Sequence, residues 1–241
     1  MKYVPTIADK MNYAIIAAGE GSRLAQEGVT LPKPLVKLNG VEMIRRLIDI
    51  FAKNQADSIS IIVNEEMKAV QEYVKQIKLD IPLNIVIKST PSSMHSFFEL
   101  REFLREGKFC LTTVDTIFKE EDFEQYIKAF IADAESDGMM AVTDYIDDEK
   151  PLYVDVNQNM VITGFLDNSD SCKYISGGIY GLTPKAIDTL ENCLSSGQSR
   201  MRNFQRQLVA DGLCLKAYPF PKIVDVDHAE DIVKAEAFLR N

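Results

Sequence analysis

Through the first 145 residues, short apolar runs alternate with stretches whose hydrophobic side chains recur every three or four positions. Residues 13–18 form an apolar run that ends at Gly19, the pattern of a buried strand. Ile44, Leu47, Ile48 and Phe51 then share one helical stripe, which predicts an amphipathic helix over 41–54. The Ile- and Val-rich stretch 58–64 predicts a strand. Met67, Val70, Val74 and Ile77 predict a helix, and 83–88 the next strand. Phe97, Leu100 and Leu104 mark another helix, followed by a strand over 109–114. Phe123, Tyr126, Ile127 and Phe130 mark one more, followed by a strand over 139–145. Such alternation predicts βαβ units around a mostly parallel sheet.

The second half is less regular. Residues 152–156 and 160–166 flank Asn157-Gln158-Asn159 and predict a hairpin. Residues 174–182 read as a strand interrupted at Gly177-Gly178, and helical patterns cover 184–195 and 199–211. Strands near 214–218 and 223–226 precede a last helix from about His228. No repeat or low-complexity linker divides the chain. The expected fold is α/β, with a mostly parallel central sheet, helices on both faces and added antiparallel strands in the C-terminal half. The expected organisation is an extension over residues 1–11 and one domain over 12–241.

Composition narrows the function. With 241 residues, 46% of them hydrophobic, the chain is long enough to bury a full core. Lys and Arg number 27 against 36 Asp and Glu, a formal charge of −9. That balance excludes a sequence-independent nucleic-acid binder while leaving room for a local anion site. The apolar run 14–18 falls far short of the ~20 residues of a membrane span, and residues 1–11 hold no apolar signal region. The four cysteines are scattered without a CxxC pair and His95 and His228 lie far apart, so zinc-type spacing is absent. The expected setting is the cytoplasm, with reduced thiols and no membrane partner.

Candidate chemistry begins at Ala17-Ala18-Gly19-Glu20-Gly21-Ser22-Arg23, directly after the first strand. Glycines let the backbone approach a phosphate and present N–H groups to it. A dinucleotide fingerprint fails because Leu24 stands where a third glycine is needed, and no Gly-Lys-Ser/Thr run completes a Walker loop. What strengthens the loop is Arg23, followed ten residues later by Lys33 within Pro32-Lys33-Pro34-Leu35. Asp115, at the end of the run 109–114, stands where parallel sheets bind ligands; a turn or helix cap is its alternative role. Asp227 and Glu230 have capping-box spacing, so Asp227 is open to a cap as well as to a ligand role, with Asp225 in reserve.

Ala18-Gly19-x-Gly21-x-Arg23 followed by Pro32-Lys33-Pro34-Leu35 resembles the signature of the sugar-phosphate nucleotidyltransferases, choline-phosphate cytidylyltransferase-like members included. The resemblance runs from Tyr13 to Leu239 and is most specific in its first third. It implies a GT-A-like, Rossmann-like fold and a Mg²⁺-dependent reaction. A nucleoside triphosphate would be joined to a sugar 1-phosphate or similar small phosphorylated acceptor by in-line attack, with pyrophosphate released. By that resemblance the nucleotide is held by Ala18, Gly19, Glu20, Gly21, Ser22, Thr90 and Ser93. Arg23 and Lys33 carry the catalytic charge, and Asp115 and Asp227 hold the metal. Thr113-Val114-Asp115 departs from the family's Gly-Asp at that metal site, with Val114 in place of glycine.

The family's Glu-Lys-Pro before its later glycine segment is missing; Phe165-Leu166-Asp167-Asn168-Ser169 stands there instead. The acceptor-binding expectation is Gly178 with Lys173, while Arg200, Arg202 and Lys222 stay open as substitutes for the missing lysine. The departure widens the acceptor class to non-sugar phosphates such as choline phosphate. The length also implies that the C-terminal β-helix of bifunctional members is absent. One rival reading is a catalytically silent nucleotide sensor on the same fold, which would bind nucleotide without turnover. A GT-A glycosyltransferase fits less well, because the chain's Asp-x-Asp, Asp225-Val226-Asp227, lies near the C-terminus and not at mid-chain.

Overall fold

The computed structural model describes residues 11–147 and 150–240. Residues 1–10 of the expected extension lie outside these, and Met11 is the first residue of the first strand. The chain runs β1 (Met11–Ala17), α1 (Ser22–Gln26), the hairpin β2 (Lys37–Leu38) and β3 (Val41–Glu42), α2 (Met43–Lys53) and β4 (Ala56–Val63). Next come α3 (Lys68–Gln76), β5 (Leu83–Ile87), α4 (Ser93–Leu100), β6 (Lys108–Thr113), β7 (Thr116–Ile117), α5 (Glu120–Ala132) and β8 (Gly138–Thr143). The remainder is β9 (Tyr153–Val156), β10 (Ile162–Leu166), β11 (Tyr174–Leu182), α6 (Lys185–Ser195), α7 (Met201–Ala210), β12 (Leu215–Phe220), β13 (Val224–Asp225) and α8 (Ala229–Arg240).

Strands β5, β4, β1 and β6 are parallel neighbours in that order. Strand β11 joins β6 antiparallel and branches to β8 and to the β9–β10 hairpin, while β12 runs parallel to β8. The mostly parallel sheet with antiparallel additions is therefore as expected from the sequence. Alternate residues of β1 facing two cores explain its apolar run from Tyr13 to Ala17. Tyr13 and Ile15 face one core with Phe51, Phe123 and Tyr126 from α2 and α5. Ala14 and Ile16 face the other, with Phe97, Leu190 and Phe204 from α4, α6 and α7. Fully burying each such aromatic stabilises by about 1.5–3 kcal/mol, which is why both faces of the sheet are lined mainly by apolar side chains.

Three features missed by the hydrophobic pattern are the short α1, with Leu24 as its only buried residue, the β2–β3 hairpin, whose second strand takes the first two residues of the helix expected over 41–54, and the two-residue strand β7, which pairs β13. The interruption expected at Gly177-Gly178 is a register shift between Ser176 and Tyr180 inside one continuous strand, with Gly178 at φ 72°. The strand order places a topological switch between β1 and β6, whose C-terminal ends open the crevice where such sheets bind ligands.

Candidate active site

The loop after β1 turns into α1 through Gly21, whose left-handed backbone (φ 62°, ψ 29°) is the N-cap. A Cβ there would lie 2.9 Å from the Lys33 Cβ, so the absence of a side chain lets the Lys33 stem pack against the loop. A Cβ on Gly19 would meet nothing within 4 Å. That open space belongs to a cleft of about 1090 Å³ at the switch point. Ala18, Gly19, Glu20, Gly21 and Ser22 form one rim, and Thr90 and Ser93 the other, so every residue read as nucleotide-binding lines it. Ser92 caps α4, accepting from the His95 amide at 3.4 Å, and its hydroxyl is also 2.9 Å from His95 Nδ1.

Sequence reasoning overlooked Asn64. It is buried at the end of β4, donates to the Ala18 carbonyl (3.0 Å) and accepts from Ser89 Oγ and the Glu66 amide (both 2.9 Å). This one amide ties three of the cleft's loops together. A polar residue directly after an apolar strand was the only signal of it.

Lys33 sits in a 3₁₀ turn flanked by Pro32 and Pro34, closed by the Leu35 amide on the Pro32 carbonyl (2.8 Å). Its ammonium lies 2.5 Å from Asp115 Oδ2 and 2.8 Å from Asp227 Oδ1. Arg23 Nη1 takes the other Asp227 oxygen at 3.0 Å. Asp115 follows β6, and its carbonyl accepts from the Val226 amide (3.1 Å), which draws the β13 segment alongside. Burial opposes the charge of Lys33, but Asp115 and Asp227 more than offset it and raise its pKa. Burial likewise opposes the Asp227 charge, and Lys33 and Arg23 reverse that to hold its carboxyl below the usual range. Asp225 is exposed to the same crevice; lost hydration there, then the charges of Asp115 and Asp227, raise its carboxyl above the usual range.

The capping-box alternative for Asp227 does not hold. The Asp227 and His228 amides donate to Asp231 Oδ2 (3.2 and 2.8 Å), and the Ala229 amide donates to Glu27 Oε2 (2.6 Å). These carboxylates serve the start of α8, and the Asp227 side chain is spent on Lys33 and Arg23 instead.

A second cavity of about 320 Å³ opens from the Asp115, Asp225 and Asp227 side. Gly178 lines it, together with Ser176, Tyr180, Gln205, Arg200 and Arg202. Gln205 is buried, accepts from Ser176 Oγ (2.8 Å) and lies 3.5 Å from the Tyr180 hydroxyl. Lys173 is not brought to this group: its ammonium lies 3.9 Å from Asp144 and 5.0 Å above the Tyr174 ring. Lys222 stacks over Tyr145 and Phe238. Arg202 pairs with Asp167 (2.7 Å), which belongs to the stretch replacing Glu-Lys-Pro. Arg200 is the N-cap of α7 at φ 75° and ψ 134°; its carbonyl accepts from the Asn203 amide (3.1 Å), while its side chain makes no hydrogen bond or ion pair among the described residues. Such a backbone is costly for a side-chain-bearing residue.

Among the described residues no three His, Cys, Asp or Glu side chains converge as a metal cage. Mg²⁺ does not require one: it binds through one or two carboxylates, substrate phosphates and retained waters. Asp115 and Asp227, both already drawn onto one cation, fit that demand.

A family model described as nucleotidyl transferase matches residues 13–241. The chain is 26% identical over 122 residues to a 2-aminoethylphosphonate cytidylyltransferase of Lancefieldella rimae, an alignment covering 49% of this chain and 48% of that protein. The chain thus spans about half the length of this curated relative. Among solved structures, the inositol-1-phosphate CTP transferase from T. maritima superposes with a TM-score of 0.79 at 21% identity, over 94% of each chain. A putative glucose-1-phosphate thymidylyltransferase from Bacillus anthracis gives 0.80 at 18% identity, over 96% of each. At such identities the superpositions establish the fold alone.

Proposed function

The chain belongs to the nucleotidyl transferase family, and from that premise we propose that it joins a nucleoside triphosphate to the phosphate or phosphonate oxygen of a small acceptor. The bond from the acceptor oxygen to the α-phosphorus forms as the bond to pyrophosphate breaks, with no protein nucleophile. The observation that carries this reading is the Arg23–Asp227–Lys33–Asp115 chain of charges, which stands where the glycine-loop cleft meets the second cavity. The loop around Gly19 and Gly21 receives the triphosphate, Arg23 holds the leaving phosphates, and Lys33 meets the charge that builds on the transferring one. Asp115 and Asp227 would hold Mg²⁺, which supplies neutralisation of phosphate charge when bound.

Cytidine triphosphate is the donor to try first, supported by the cytidylyl relative and the CTP-dependent structural neighbour. Arg200 and Arg202 take the role expected of Lys173 and hold the acceptor's anion. The support is that both line the second cavity while Lys173 is engaged elsewhere. A reaction drawing on nucleoside triphosphates belongs in the cytoplasm; no helix among the described residues is long and apolar enough to cross a membrane.

Pyrophosphate release with Mg²⁺ tests the reading, crossing four nucleoside triphosphates with hexose 1-phosphates, inositol 1-phosphate, choline phosphate and 2-aminoethylphosphonate. The Asp115→Asn protein is the blank. Acceptor-dependent release that the blank lacks is the expected result. Nucleotide binding without release for any acceptor would favour the sensor, and no nucleotide binding at all would refute both.

A further inference from the structure

Lys33 occupies an unusual place for a residue expected to meet a phosphate. Its ammonium has three donors, and two already point at separate carboxylates, Asp115 Oδ2 at 2.5 Å and Asp227 Oδ1 at 2.8 Å. The second Asp227 oxygen is held by Arg23 at 3.0 Å. A divalent ion held by Asp115 and Asp227 would compete with this ammonium for the same carboxylates.

The backbone of Lys33 cannot withdraw. Pro32 and Pro34 flank it, the Leu35 and Val36 amides close the turn on the Pro32 and Lys33 carbonyls (2.8 and 3.2 Å), and Gly21 packs against its Cβ position. The flexible stem can move. It runs past Gly21 and ends between the glycine loop and the carboxylates, so one swing carries the ammonium from Asp115 and Asp227 to an anion held by the loop.

Resting on the proposed nucleotidyl transfer, we infer that Lys33 is an internal counter-ion that holds the metal site closed in the free protein and opens it when a triphosphate arrives. A triphosphate in the glycine loop attracts Lys33 and Arg23. That leaves Asp115 and Asp227 without their cations and free to hold a divalent ion. Each ligand thereby raises the affinity of the other, and the coupling is reciprocal. Lys33 serves as a positioning residue for the metal in addition to its contact with phosphate. A free protein closed in this way does not hold a divalent ion idle in its cleft.

The test is Mn²⁺ binding by electron paramagnetic resonance on the intact protein without nucleotide, so that chelation by the triphosphate plays no part. Lys33→Met and Lys33→Gln, both checked for folding by thermal melts, should each bind Mn²⁺ at least tenfold more tightly than the unaltered protein, about 1.4 kcal/mol. The gain should vanish when Asp115→Asn or Asp227→Asn is added. Unchanged or weaker Mn²⁺ binding in both folded Lys33 variants overturns the inference. If Asp115 and Asp227 still govern Mn²⁺ binding beside a non-hydrolysable triphosphate, the proposed function survives that failure. If neither carboxylate affects Mn²⁺ in any variant or complex, the metal assignment itself falls, and this inference with it.

Discussion

The two glycines of the loop should fail in opposite ways when each is given one methyl group. At Gly21 the backbone is left-handed, which costs an L-residue about 1–2 kcal/mol, and the new Cβ would press on the Lys33 Cβ at 2.9 Å. Together these set a loss for Gly21→Ala of about 1–3 kcal/mol, or a Tm lower by roughly 4–8 °C at the middle of that range. At Gly19 the φ is not left-handed and no atom lies within 4 Å of the added carbon, so stability should stay within about 0.5 kcal/mol. The Gly19 methyl, however, would project into the open space of the cleft where a phosphate must approach the backbone. Nucleotide affinity should fall at least tenfold, about 1.4 kcal/mol. Thermal unfolding and calorimetric titration with nucleotide separate the two effects. Gly19→Ala that is as destabilised as Gly21→Ala, or that binds nucleotide as before, would refute the reasoning.

Arg23→Ala, Lys33→Ala and Asp115→Asn should each lower turnover at least a hundredfold, about 2.7 kcal/mol, in the pyrophosphate assay; activity surviving all three singly would remove the cluster from the chemistry. Arg200→Ala should raise the KM for the acceptor at least tenfold and leave the KM for nucleotide within twofold, whereas equal effects on both would take Arg200 out of the acceptor site. Asp133 is a structural counterpart away from the cleft. Burial would raise its pKa, but Lys216 at 2.9 Å, the Ser136 hydroxyl and the Glu135 and Ser136 amides hold it well below the usual value. A depressed carboxyl stabilises the fold above its unfolded pKa of about 4, and that contribution is lost as pH falls toward the folded value. Asp133→Asn should therefore cost about 1–3 kcal/mol at neutral pH, and denaturant melts should show the gap from the unaltered protein narrowing below about pH 4.

The roles of individual residues were unevenly legible. Gly19, Gly21, Arg23 and Lys33 lie within fifteen residues of one another, so their spacing alone brought the loop and its cations together. Asp115 was legible because it ends an apolar strand, and strand ends are where parallel sheets present ligands. Asp227 was ambiguous, since a cap and a ligand have the same local spacing; Asp231 and Glu27 take the amides at the start of α8, which removes the capping role. The acceptor end was the least legible. Lys173, Arg200, Arg202 and Lys222 are equivalent as isolated cations, and only packing directs Arg200 and Arg202 to the cavity and lays Lys173 and Lys222 over aromatic rings.

By itself the sequence determined the alternation of strands and helices, the burial of both sheet faces and the glycine loop after the first strand. Each of these depends on residues a few positions apart, whose periodicity is fixed by the geometry of a helix or a strand. Only the tertiary structure decided that Arg23 and Asp227, 204 residues apart, share an ion pair, or that Lys33 bridges carboxylates from two distant segments. Those meetings follow from the order β5-β4-β1-β6 and from β13 pairing with β7 beside it. Strand order is chosen by the packing of the whole sheet, and no local pattern in the chain records it.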